Sequence, residues 1–170
     1  TGEENLQLLT TPKRIVITTH HKPDGDALGS SLGLYHFLKK YNHTVHVVVS
    51  SDFPSFLDCM PGREEVIIYP EQPALTGELL AEADIIFCLD YSALSRTNVL
   101  EPLIANAKGQ KWMIDHHLDP ENFADLVYWD SNAAATAQLI YTFIDDVLKG
   151  GKKIDAAIAT CLYTGIMTDT

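Results

Sequence analysis

Cysteine is scarce and scattered: Cys59, Cys88 and Cys161 are the whole set. They form no C-x-x-C pair and no disulfide framework, so thiolate zinc sites and stapled scaffolds are excluded, and the set suits a reducing compartment. Cys88 and Cys161 lie in apolar segments and read as small core residues. No apolar run approaches the ~18 residues that suggest a transmembrane helix. Neither a signal peptide nor a transit peptide is read at the N-terminus, so a cytoplasmic location without a membrane partner is expected. Basic residues are also few. Twelve Lys and Arg stand against 23 Asp and Glu, a formal net charge of −11, which argues against general affinity for long nucleic acid. No internal repeat or low-complexity linker breaks the chain.

What is present is enough apolar material for one core: 46% of 170 residues. That length fits one domain, or one domain and a fragment of another. Leu6, Leu8 and Leu9 read as the end of a docking helix. Runs at Ile15–Thr19, Val45–Val49, Val66–Tyr69, Asp84–Leu89, Lys111–Ile114 and Leu126–Trp129 read as strands. Helical spacing follows Pro23-Asp24-Gly25-Asp26 and covers Ser55–Met60, Glu78–Ala83, Val99–Ala107, Ala133–Leu148 and Ile154–Met167. Strands alternating with helices predict an α/β fold, a parallel Rossmann-like sheet with helices on both faces. In such folds ligands bind beyond the carboxyl ends of the strands. Gly25, Gly29 and Gly33 recur every fourth residue in the first long helix. Each costs roughly 1 kcal/mol relative to Ala there, so tight packing or room for a phosphate is expected. The helix start beside them is also suited to anions.

Asp115-His116-His117 follows the apolar Trp112-Met113-Ile114. An acid and two imidazoles at a strand end are poor core material and good ligands for Mn, Fe, Zn or Co. His20, Asp24 and Asp26 follow another strand, Asp90 a third, and Asp169 stands near the C-terminus. Solvated acids have no reason to fall at successive strand ends. Asp24 and Asp26, two apart around a glycine, can address one metal each, with Asp90 bridging. His20 then serves one metal, and His116 with Asp169 the other. Two metals about 3.5–4 Å apart suit in-line phosphoryl displacement by activated water. His117 faces the substrate, as hydrogen-bond donor to phosphate or as acid to the leaving alkoxide, and Asp115 joins it in the catalytic group. Arg96 is a candidate bidentate phosphate ligand. His21 is left open. His36, His43 and His46 read as surface or partly buried residues without a role.

His20-x-x-Pro23-Asp24-x-Asp26, then Asp90, then Asp115-His116-His117, then Thr168-Asp169-Thr170 resemble, in order, the four motifs of the DHH phosphoesterases. The glycine- and serine-bearing first helix is most similar to the branch with oligoribonucleases (nanoRNases), pAp phosphatases and exopolyphosphatase-related proteins. The resemblance implies a parallel-sheet catalytic domain with two divalent ions, usually Mn. It implies His20, Asp24, Asp26, Asp90, His116 and Asp169 as ligands, with Asp90 bridging, and His117 as a phosphate contact. The expected substrate is a small phosphorylated nucleotide, such as 3′-phosphoadenosine 5′-phosphate, or short RNA. Alternatives are a pyrophosphatase or polyphosphatase, and a non-catalytic nucleotide- or metal-binding module. Residues 1–170 are expected to be the catalytic domain alone, ending inside the fourth motif. The glycine-rich DHHA1 domain of this branch would then be missing and activity on long substrates impaired. A homodimer is compatible with the sequence.

Overall fold

The β-branched runs pair as one sheet. In a computed structural model that describes residues 2–169, the strands are β1 (Arg14–Thr19), β2 (Thr44–Val49), β3 (Ile67–Ile68), β4 (Ile85–Leu89), β5 (Gln110–Asp115) and β6 (Leu126–Trp129). Thr1 and Thr170, the latter in the fourth motif, lie outside the described residues. The strand order is β3-β2-β1-β4-β5-β6, and every pairing is parallel. The chain therefore winds outward to one side from β1 and to the other from β4. The carboxyl ends of these two neighbours form the switch point at which open parallel sheets bind ligands.

Among the described residues six α-helices accompany the sheet: α1 (Gly2–Leu6), α2 (Gly25–Lys39), α3 (Pro73–Glu82), α4 (Glu101–Ala105), α5 (Thr136–Thr142) and α6 (Ala156–Asp169). Successive strand residues feed opposite faces, as a two-residue period requires. Ile15, Ile17, Trp112 and Ile114 pack with Leu28, Leu32, Ile140 and Leu162 of α2, α5 and α6. Val16, Ile86 and Met113 pack with Leu80 of α3 and Ile104 of α4. Leu6, Leu8 and Leu9 lean on the first cluster, as expected for a docking segment.

The glycine stripe turns out to be a packing device. α2 and α6 form the most extensively packed pair of helices. A Cβ on Gly29 would sit 2.5 Å from the Cys161 carbonyl oxygen and 2.9 Å from the Gly165 nitrogen; one on Gly33 would meet the Leu162 side chain. A Cβ on Gly25 would run into Thr168. Close approach of the two backbones brings the end of α6, with Asp169, to the start of α2.

Several local expectations shift. α3 begins at Pro73 rather than Glu78, because Pro occupies its first turn, where its missing N–H costs nothing. The helix expected over Val99–Ala107 is a 3₁₀ segment, Leu94–Leu100, followed by the short α4. Asn98, at φ 53°, interrupts it, and Pro102 restarts it. α5 begins at Thr136, not Ala133, and runs into a π-helical stretch, Phe143–Val147. β3 is shorter than the apolar run Val66–Tyr69. α6 starts after Ile154, and Ser55–Cys59 is 3₁₀ rather than α-helical.

Gly29→Ala should destabilise the chain by about 1–3 kcal/mol, because a rigid backbone carbonyl must move. Gly77 in α3 has nothing within 4 Å of an added Cβ, so Gly77→Ala should stabilise by about 0.5–1 kcal/mol. Urea melts of the two variants check both signs; equal effects would contradict the packing account.

Candidate metal centre

Each motif is delivered by the end of a structural element. His20 follows β1, and its Nδ1–H donates to the His21 carbonyl at 2.8 Å. Asp24 is the N-cap of α2, accepting from the Ala27 N–H at 2.9 Å. Asp90 follows β4 in the left-handed region, φ 66°, a conformation Asp adopts more readily than most side chains. His116 follows β5, and its Nδ1–H donates to the Ala133 carbonyl at 3.2 Å. Both imidazoles therefore have Nδ1 fixed by a carbonyl and present Nε2 to the cleft, the tautomer a metal ligand needs.

Asp90 lies between them, 3% exposed. Its Oδ2 is 3.3 Å from His20 Nε2, and its Oδ1 is 3.6 Å from His116 Nε2. Asp24 Oδ1 lies 3.7 Å from His20 Nε2. Asp26 Oδ2 and Asp169 Oδ2 lie 3.7 and 3.5 Å from His116 Nε2. Among the described residues, three donor sets each fall within 4.8 Å: His20, Asp24 and Asp90; Asp26, His116 and Asp169; Asp90, His116 and His117. The mixed imidazole and carboxylate donors fit divalent first-row ions. All six expected ligands thus come together.

Asp115 stands behind that cluster and Arg96 at its rim. Asp115 is fully buried. Its Oδ1 accepts from His117 Nδ1–H at 2.7 Å, and its Oδ2 accepts the His117 backbone N–H at 3.2 Å. It therefore touches His117 and not the cleft. Trp129 Nε1–H donates to the His117 carbonyl at 2.6 Å. Arg96 is exposed and lines a cleft of ≈ 550 Å³ with Asp90, His116 and His117. The ring of His21 turns to Ser50 Oγ at 2.8 Å. His36 and His46 are partly buried, but His43 is buried, with its Nδ1 satisfied by the Lys13 N–H at 3.1 Å.

The sequence reading missed Thr136, absorbed there into an alanine-rich helix. Its N–H and that of Ala137 donate to the two oxygens of Asp26, each at 2.9 Å. Its hydroxyl donates to Asp90 Oδ1 at 2.8 Å. One hydroxyl among alanines, at a helix start, was the available signal.

Without a cation the cluster holds protons instead. Burial opposes the charge of His20, but hydrogen bonds to Asp24 and Asp90 outweigh it and push the imidazole up to about 10. The hydrogen bond to Asp90 raises His116 to about 9 against its burial. Burial and the charge of Asp90 raise Asp26 to about 8. Burial works against ionisation of Asp90 too, yet its hydrogen bonds to His116 and His20 hold it far below the usual carboxylate range.

The raised imidazoles stabilise the metal-free fold fully below their ordinary value of 6.5, and that stability is lost as pH rises through 9 and 10. The raised carboxyl of Asp26 costs stability that grows as pH climbs from 3.8 to about 8. The metal-free melting temperature should therefore fall from neutral to alkaline pH. A cation must displace the same protons, so Mn(II) binding should release protons and tighten at least tenfold between about pH 6 and about pH 8. Calorimetry in buffers of different ionisation heat reads this; a pH-independent affinity would contradict it.

The chain is 38% identical over 158 residues to the bifunctional oligoribonuclease and PAP phosphatase NrnA of Thermus thermophilus, covering 92% of this chain and 43% of that protein. An exopolyphosphatase-related protein from Bacteroides fragilis has a crystal structure similar to this one, with a TM-score of 0.94 at 39% identity over 99% of this chain and 49% of the other. Exonuclease RecJ, in a crystal structure bound to manganese, is similar in fold, with a TM-score of 0.54 at 18% identity over 100% of this chain and 43% of RecJ. The chain thus spans under half the length of these relatives, 43–49%. Residues 14–166 match the N-terminal domain of the DHH family, and by that match, over nearly all its length, the chain belongs to the DHH family.

Proposed function

We propose that this protein is a metal-dependent phosphoesterase that hydrolyses short oligoribonucleotides or 3′-phosphoadenosine 5′-phosphate. One observation carries the reading: the two oxygens of the buried Asp90 carboxylate each face a different imidazole, 3.3 Å from His20 and 3.6 Å from His116. A carboxylate so divided joins two donor sets. His20 and Asp24 would hold one cation, Asp26, His116 and Asp169 the other, and Asp90 both. Mn is the expected ion. When bound, a pair of such ions supplies charge stabilisation for the phosphoryl group and activation of the attacking water.

The chain's own residues do the rest. Asp115, which holds His117 Nδ1 at 2.7 Å and its backbone N–H, positions the ring and leaves Nε2 for the substrate. In the doubly protonated ring Nε2–H donates to a phosphate oxygen, or passes its proton to the leaving alkoxide. Arg96, on the rim of the ≈ 550 Å³ cleft beside His117, presents a planar fork suited to phosphate. That volume admits a small nucleotide. The relative named as an oligoribonuclease and PAP phosphatase supports this substrate class. Pyrophosphate or polyphosphate is the second reading, favoured by the likeness to the exopolyphosphatase-related protein. The three free cysteines fit a reducing, cytoplasmic setting.

Product analysis with Mn and three substrates separates the readings: a dinucleotide, 3′-phosphoadenosine 5′-phosphate and pyrophosphate. Hydrolysis of the first two and not the third is expected; pyrophosphate alone would select the second reading, and no hydrolysis of any by the full-length, Mn-loaded protein would select a non-catalytic binding module. Asp90→Ala should abolish tight binding of both ions, whereas His36→Ala, which removes a ring that meets the Pro61 carbonyl and the Tyr35 ring far from the cluster, should leave metal binding intact. Equal losses from the two would contradict the assignment. Asp115→Asn should lower kcat about 10²–10⁴-fold through His117, with Mn affinity within threefold of the parent. A change confined to metal affinity would place Asp115 in the metal site instead.

A further inference from the structure

We propose that Thr136 is a positioning residue that sets the plane of the Asp90 carboxylate, and so makes Asp90 able to serve two cations at once. The inference rests on the metal reading above and goes beyond it, because it concerns a residue outside the four motifs.

A bridging carboxylate must present one oxygen to each ion. Rotation about its terminal torsion is soft, so an aspartate at such a place needs something to stop it turning. The two imidazoles cannot do this in the loaded site, since each would itself be turned to a cation. Thr136 can. It is fully buried, and its hydroxyl donates to Asp90 Oδ1 at 2.8 Å. Oδ1 is also the oxygen on the His116 side, while Oδ2 faces His20. Among the described residues this is the one side-chain hydrogen bond to Asp90 from an uncharged group, and a neutral donor leaves lone pairs on both oxygens for cations.

Thr136 is itself fixed. Its backbone N–H donates to Asp26 Oδ2, and the next N–H, of Ala137, to Asp26 Oδ1. The start of α5 is thus tied to Asp26, on the His116 side of the cluster, while the hydroxyl reaches across to Asp90. The same turn couples the two carboxylates that would hold one ion in common. The extended backbone of Ala135, φ −160° and ψ 157°, marks where the chain leaves its non-helical course to place Thr136 there. Ala133, just upstream, supplies the carbonyl that fixes the His116 ring at 3.2 Å. The segment 133–137 therefore orients both an imidazole and two carboxylates of one donor set.

The test uses Thr136→Val, which keeps shape and backbone N–H but lacks the hydroxyl, and Thr136→Ser, which restores it. Each is titrated with Mn(II), by calorimetry and by electron paramagnetic resonance. Circular dichroism and metal-free melting run in parallel. The parent should bind two ions and give the spectrum of an exchange-coupled Mn pair. Thr136→Val should fold but lose about 10–100-fold in Mn affinity, the range typical of partners that orient ligands. At two equivalents it should give the six-line signal of isolated Mn. Thr136→Ser should recover both properties. A Val variant with parental affinities and a coupled spectrum would overturn the proposal while leaving the metal reading intact. So would a Ser variant as impaired as the Val one, since packing rather than the hydroxyl would then matter. Should Thr136→Val not fold, Thr136→Ser with parental binding and Thr136→Ala, folded with weakened binding, carry the same comparison. A parent that binds no Mn would overturn the metal reading itself, and this inference with it.

Discussion

The structure depends on one buried anion. Asp90 is 3% exposed, in a position where an unpaired carboxylate would be expelled or protonated. It stays charged because His20, His116 and Thr136 surround it. These three come from the end of β1, the end of β5 and the start of α5. The anion sits at the carboxyl end of β4, beside the place where the strand order reverses. A crevice there is a geometric consequence of the parallel winding; that it is lined with acids and imidazoles is a matter of sequence. The fold supplies the place, and Asp90 recruits the partners.

Reaching Asp90 from the fourth motif requires α6 to lie very close to α2. The absence of side chains at Gly25, Gly29, Gly33 and Gly165 allows it. A Cβ on Gly165 would meet Ala137 Cβ at 2.7 Å and Asp26 Cα at 3.4 Å, so the same small residues seat α6 against the segment that carries Thr136. The helical cost of these glycines is therefore linked to the site. It is the condition for Asp169 to stand 3.5 Å from His116.

Much of this was legible beforehand, and the reasons differ by element. The strands at Ile15, Ile85 and Lys111 showed because fully buried parallel strands are continuous β-branched or aromatic runs. Residues that interrupt such a run with acids and imidazoles declare a site. The glycine spacing was visible too, although its partner was not, since Cys161 and Gly165 lie more than a hundred residues away. The start of α5 was illegible for the same reason. Its first free N–H groups are capped by Asp26, 110 and 111 residues upstream, while the local polar run Asp130-Ser131-Asn132 points to a start several residues too early. His43 read as a surface or partly buried residue because its partner, the Lys13 N–H, is a backbone group 30 residues distant. Local pattern reveals what local chemistry decides; caps and pairings made through the tertiary structure leave no such mark.

Several acids in the cluster carry two duties at once. Asp24 caps α2 through the Ala27 N–H and also faces His20. Asp26 caps α5 with both oxygens and faces His116 with one of them. The helix ends that they cap offer positive partial charge, which offsets some of the repulsion among carboxylates gathered in so small a volume. This explains how the metal-free fold tolerates the cluster, with protons on His20, His116 and Asp26 completing the balance. It also means that deleting Asp24 or Asp26, which cap helices, is not a pure test of ligation. Replacing Asp24 by Ala removes a cap as well as a charge, whereas Asn keeps an oxygen for the Ala27 N–H and removes the charge alone. Stability and metal affinity are thus built from the same atoms. At these capping acids, substitutions that preserve hydrogen bonding while changing charge tell the two apart, as does the reverse at Thr136, where the hydroxyl is removed and no charge changes.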